Sequence, residues 1–104
     1  MATIQGSDVR KLVIACDAGM GSSVLLANQL KKRLKASGIT VVHSPVDQIP
    51  DDADLVVCHS QLAERARIRV RAADTPVVAF QMFVGDPAVE GVVKAIQGDG
   101  TING

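Results

Sequence analysis

Cys16 opens the segment Cys16-Asp17-Ala18-Gly19-Met20-Gly21-Ser22-Ser23, in which a thiol is followed by two glycines and a pair of hydroxyls. Gly19 and Gly21 let the backbone fold tightly and aim successive N–H groups inward, and a helix starting at the serines adds partial positive charge. Such a cradle suits a phosphate carried on the cysteine sulfur. The same donors and dipole stabilise a thiolate, which makes Cys16 a candidate nucleophile. Asp17 acts in the opposite sense, because its carboxylate opposes both thiolate and phosphate unless it turns outward or accepts loop N–H bonds. The plainer alternative is a structural cysteine that ends a strand before a glycine-bearing turn.

Three known phosphate-handling patterns differ from this segment in definite ways. No lysine follows Gly21, so it is not a Walker loop, and the Gly-x-Gly-x-x-Gly order of dinucleotide binders meets Val24 where its third glycine belongs. The low-molecular-weight tyrosine phosphatases also place a cysteine nucleophile after a first strand. Their arginine six positions later clamps the phosphate and stabilises transferred charge. Here that position is Ser22. A cradle without the arginine holds a phosphoryl group but lacks the strongest stabiliser of its hydrolysis.

The elements that must position Cys16 are legible on either side of it. Lys11 to Cys16 is a short apolar run rich in branched residues, as in a strand buried on both faces. Ser22 or Ser23 can cap a helix carrying Leu26, Leu30 and Leu34 on one face, with Lys31, Lys32, Arg33 and Lys35 toward its end and Gly38 as its stop. A second strand is predicted over Ile39 to His43, with Pro45 and Pro50 in the connection to a third at Asp54 to Cys58. Gln61 to Val70 repeats Leu62, Ala66 and Val70 at helical spacing, and Pro76 to Phe80 is a fourth strand. Asp86 and Pro87 open a last helix with the stripe Val89, Val92, Val93 and Ile96, closed by Gly98.

This alternation predicts an α/β domain: a small doubly wound parallel sheet of four strands in the order 2-1-3-4, with about three flanking helices. Residues 11–97 are expected to form the domain, with 1–10 a flexible leader and 98–104 a flexible tail. In that order the first and third strands are neighbours, so Cys58 is expected near Cys16 at the carboxyl rim, where its packing, or a disulfide if its side chain faces the right way, would affect the site. A thiol redox module using both cysteines is a further reading, although neither lies in a Cys-x-x-Cys pair.

Composition narrows the field. The 104 residues allow one modest domain, and 47% apolar content favours a packed core over disorder. Eleven acidic and eleven basic residues cancel, and Phe80 and Phe83 are the only aromatics, so neither a broad positive field nor a stacking platform for nucleic acid is supplied. No apolar run approaches the ~20 residues of a membrane span. No secretory signal is read in the first residues, so two free thiols in a cytoplasmic setting are expected, with no metal or cofactor.

The run Ala15-Cys16-Asp17-Ala18-Gly19-Met20-Gly21-Ser22-Ser23 closely resembles the active loop of mannitol-type enzyme IIB domains of the bacterial sugar phosphotransferase system. The likeness extends through Asp54-Leu55-Val56-Val57 into His59-Ser60-Gln61-Leu62-Ala63-Glu64-Arg65-Ala66, whereas Gln81-Met82-Phe83-Val84 also resembles relatives that handle ascorbate and other substrates. The resemblance implies that Cys16 accepts phosphate from a phosphohistidine on enzyme IIA and passes it to a sugar held by membrane enzyme IIC, with the loop from Asp17 to Ser23 binding the phosphate. His59 is a candidate accessory residue at the third strand's mouth, or a helix-start residue bonded to backbone. Met20 either contacts a partner or tucks inward. Arg65, Arg67, Arg69 and Arg71 read as a solvated helix face.

Overall fold

In the computed structural model, residues 3–16, 22–70, 75–81, 87–98 and 100–103 are described. The chain forms β1 (Thr3–Gln5), β2 (Lys11–Cys16), α1 (Ser22–Arg33), β3 (Thr40–Pro45), β4 (Leu55–His59), α2 (Ala63–Val70), β5 (Val77–Phe80), α3 (Pro87–Gly98) and β6 (Thr101–Asn103). The four long-range strands pair in parallel in the order β3-β2-β4-β5. This is the predicted 2-1-3-4 arrangement, with β2 in its interior.

Strand parity divides the core in two. Leu12 and Ile14 of β2 and Leu55 and Val57 of β4 face one way, onto Leu26, Ala27 and Leu30 of α1 and Val89, Val92, Val93 and Ile96 of α3. Val13, Ala15, Val56 and Cys58 face the other way, onto Leu62, Ala63, Ala66 and Val70 at α2 and onto Val46 and Ile49. Both faces of β2 and β4 are therefore buried, which is why these strands read as unbroken apolar runs rather than alternating ones. The helix stripes anticipated at Leu26, Leu30 and Leu34, at Leu62, Ala66 and Val70, and at Val89, Val92, Val93 and Ile96 are all in the core.

Element ends differ by a residue or two from the sequence reading. Ser22 and Ser23 lie inside the first turn of α1, and the capping expected of Asp86 lies outside the described residues. Gly38 ends a short 3-10 turn at φ 71°, the left-handed geometry that makes glycine an effective helix stop. Pro45, placed in a connection from sequence, is instead the last residue of β3 and stands level with Cys16. As β3 is the sheet's edge, a residue without an N–H costs it little there.

Within 1–10 and 98–104, expected from sequence to be a flexible leader and tail, the structure has two short strands. Thr3–Gln5 and Thr101–Asn103 pair as an antiparallel ribbon, with Ile4 opposite Ile102. Gly6 N–H donates to the Gly100 carbonyl at 2.7 Å, and Gly100 N–H to the Ala95 carbonyl at 2.8 Å, which ties the ribbon to α3. At the amino end of the sheet, the Asp54 carboxylate accepts the Arg10 and Lys11 backbone N–H groups at 2.9 and 3.0 Å.

Candidate functional site

Cys16 is the last residue of β2, and α1 begins six positions later at Ser22. The chain moves outward from β2 to β3 and then crosses back to β4 on the other side, so the carboxyl end of β2 is where strand order reverses. Open parallel sheets place their ligand crevices at such a point. The amino end of α1 meets the same rim. Its first turn carries no acidic side chain, and Lys31, Lys32 and Arg33 occupy its last turn, so charge and helix dipole agree and the positive end lies toward Cys16.

The Cys16 side chain is buried, at 3% exposure, and its S–H donates to the Ser44 carbonyl on β3 at 3.4 Å. That bond exists only while the sulfur carries its proton. Residue type alone does not reveal the Ser44 contact, because the acceptor is a backbone group brought into place by the β2–β3 register. By parity Cys16 shares the sheet face of Leu12 and Ile14, the face covered by α1 and α3.

Cys58 is close in space but turned away. It stands level with Ala15 on the neighbouring strand and packs with Val13, Ala15 and Val56 on the α2 face. Both cysteines are buried thiols outside any disulfide. With one on each face of the sheet, the condition set from sequence for a disulfide, a Cys58 side chain facing Cys16, is not met in this structure. Burial pushes the Cys58 thiol up to about 11, with the Arg67 charge a lesser and opposing influence. Cys58 is a core residue, 0% exposed.

His59 takes the position that Cys58 does not. The β2–β4 register ends with Ala15 level with Cys58, so the next residues, Cys16 and His59, both project to the opposite face from that pair. His59 is half-buried, its Nδ1 accepts the Gln61 backbone N–H at 3.2 Å, and its ring meets Phe80 edge-on, with centroids 5.8 Å apart and planes at 83°. The backbone-bonded role weighed for His59 is therefore present.

Of the remaining predicted site residues, Asp17, Ala18, Gly19, Met20 and Gly21 lie outside the described residues, and Ser22 and Ser23 are placed only as the opening of α1. Arg65 bonds Asp47 at 3.0 Å and Arg69 approaches Asp51 at 4.0 Å, all four exposed, as a solvated helix face requires; Arg71 is outside the described set. Among the described residues no cluster of His, Cys, Asp and Glu is suited to a metal. No described helix is long and apolar enough to cross a membrane.

A reduced cysteine at the switch point of a doubly wound sheet, beside a helix amino end, is the arrangement of a small α/β phosphoryl-handling domain. Residues 11–95 match the family described as the lactose/cellobiose-specific IIB subunit of the phosphotransferase system, and the chain belongs to that family.

Individual proteins similar to the chain include several described as mannitol-specific components. The chain is 38% identical over 86 residues to the mannitol-specific cryptic EIICB component of Escherichia coli K12, covering 81% of this chain and 18% of that protein. It is 46% identical over 70 residues to the mannitol-specific EIICBA component of the same organism, covering 64% of this chain and 11% of that one. A mannitol-specific EIICB component of Halalkalibacterium halodurans is 32% identical over 95 residues, covering 89% of this chain and 20% of its own. The chain thus spans about a fifth or less of the length of these relatives. Among solved structures, the lactose-specific IIB domain of Streptococcus pneumoniae superposes with a TM-score of 0.60 at 18% identity, over 86% of this chain and 93% of that one, and so shares its fold.

Proposed function

We propose that Cys16 is the phosphoryl-carrying residue of a sugar phosphotransferase IIB unit formed by residues 11–97, with the loop from Asp17 to Ser23 as its phosphate cradle. The donor is a phosphohistidine on enzyme IIA, and the acceptor is a sugar, mannitol, bound by membrane enzyme IIC. The unit works at the cytoplasmic face of the membrane, where it reaches IIC. One observation carries this reading: Cys16 ends the central strand at the sheet's switch point, where a helix amino end meets the rim.

In the accepting step the Cys16 sulfur attacks phosphorus, the S–P bond forms, and the N–P bond of the phosphohistidine breaks. The thiol proton, held against the Ser44 carbonyl at rest, leaves with the imidazole nitrogen that departs from phosphorus. In the delivering step a sugar hydroxyl attacks the same phosphorus, the O–P bond forms as the S–P bond breaks, and the departing sulfur takes up the proton that the hydroxyl loses. The positive end of α1 lowers the energy of the dianionic group in both steps. Ser22 at the position where phosphatases carry arginine leaves water without its strongest assistant, so the phosphocysteine persists until an acceptor arrives.

Transfer of this kind needs protein partners, and Val24 and Leu25 support such docking. They lie in the first turns of α1 beside the Cys16 rim and are 44% and 66% exposed, large apolar side chains that a partner would cover. The mannitol assignment is tested with membranes that contain a mannitol-specific IIC lacking its own B domain. Supplied with this chain and phosphorylated IIA, they are expected to convert labelled mannitol to its phosphate. Phosphate incorporation at Cys16 with delivery only to a different sugar would overturn mannitol while keeping the carrier.

A further inference from the structure

His59 already spends one ring nitrogen. Nδ1 accepts the Gln61 N–H at 3.2 Å and caps the turn that leads into α2, so the neutral imidazole carries its proton on Nε2. Phe80 limits how that ring can turn, since it stands level with His59 on the next strand and meets it edge-on. At the carboxyl rim Pro45 is level with Cys16 and Phe80 with His59, and Cys16 and His59 each follow the level pair Ala15 and Cys58. Neighbouring strands stand about 4.8 Å apart, and level residues of parallel strands project to the same face. Cys16 and His59 therefore end neighbouring strands on the same face of the sheet, and the Gln61 and Phe80 contacts help to fix the histidine ring.

We propose that the Nε2–H of His59 donates a hydrogen bond to the phosphoryl group on Cys16, which makes it a side-chain phosphoryl ligand. This deepens the carrier reading of Cys16 and rests on it. The bond orients a phosphoryl oxygen and strengthens as charge gathers on the transferring group.

Two substitutions separate this role from the cap. In His59→Asn the side-chain oxygen can replace Nδ1 as acceptor for Gln61, but nothing reaches the Nε2 position. In His59→Gln an N–H reaches the Nε2 position while the cap is lost. With phosphorylated enzyme IIA as donor and circular dichroism as the check of folding, His59→Asn is expected to slow phosphoryl acceptance about 10- to 100-fold, as befits one lost bond to a charged group. His59→Gln is expected to stay within a few-fold of the parent. The reverse ranking, or normal rates in both, would overturn the proposal.

If both variants are slow, nitrogen NMR of the parent decides. A His59 Nε2 resonance that moves when Cys16 is phosphorylated supports the contact, and an unmoved one overturns it. A parent that takes no phosphate at all would instead refute the carrier reading itself.

Discussion

At the residue scale the two cysteines have opposite fates for one geometric reason. Each lies at or near the carboxyl end of a central strand, but parity sends Cys16 to the α1 face at the rim and Cys58 into the α2 core. Sequence could place both near the rim but could not settle this, because parity between strands depends on a register that no single strand's pattern encodes. Cys16→Ser is expected to abolish sugar phosphorylation while leaving the circular dichroism spectrum and the unfolding midpoint nearly unchanged; retained transfer would refute its role. Cys58→Ala should leave transfer intact. Its effect belongs to stability: burial holds the Cys58 proton up to about 11 in the folded chain, against about 9 when unfolded. The unfolded chain therefore ionises first, so this contribution is complete below about pH 9 and is lost as pH rises from 9 toward 11. Urea midpoints measured at pH 8 and 10.5 should fall more steeply in the parent than in Cys58→Ala, and equal slopes would show that Cys58 does not titrate in this way.

At the scale of elements, glycine matters in two physically separate ways. A Cβ on Gly6 would overlap the Ala95 carbonyl oxygen, a clash with backbone that only displacement of the ribbon from α3 can relieve. Gly6→Ala is expected to cost roughly 2 kcal/mol or more. At Gly38 nothing lies within 4 Å, but φ is 71°, so Gly38→Ala should cost only about 1 kcal/mol of backbone strain. Equal destabilisation of the two in urea titrations would contradict this separation. The ribbon that Gly6 secures was the least legible part of the fold. Three-residue strands are too short for periodicity to register, although the mirrored polar-apolar-polar triplets Thr3-Ile4-Gln5 and Thr101-Ile102-Asn103 were its available signal. The four-stranded sheet was legible because doubly buried strands and one-faced helices leave long, unlike patterns. On α1, Leu25→Ser should weaken acceptance from enzyme IIA by raising the donor concentration needed for half-maximal rate, with the fold unchanged; an unaltered concentration dependence would remove Leu25 from the docking surface.

For the whole molecule, the arrangement links strand order to chemistry. Two buried faces fix β2, the reversal of order beside it opens the rim, and the rim is where Cys16 ends the strand and α1 begins. Of the proposed site, Cys16 with the two glycines and paired serines after it stands out in the sequence, whereas the Ser44 contact and the face that His59 shares with Cys16 emerge only when strands are set in register. The direct test of the account is to incubate the reduced chain with phosphorylated enzyme IIA, measure the intact mass, and map the modified peptide under conditions that preserve the S–P bond. One added phosphate on the peptide containing Cys16, absent in Cys16→Ser and unaffected in Cys58→Ala, is the predicted result. A phosphate mapped to any other residue, or none while the same donor phosphorylates a mannitol-specific EIICB component, would contradict it.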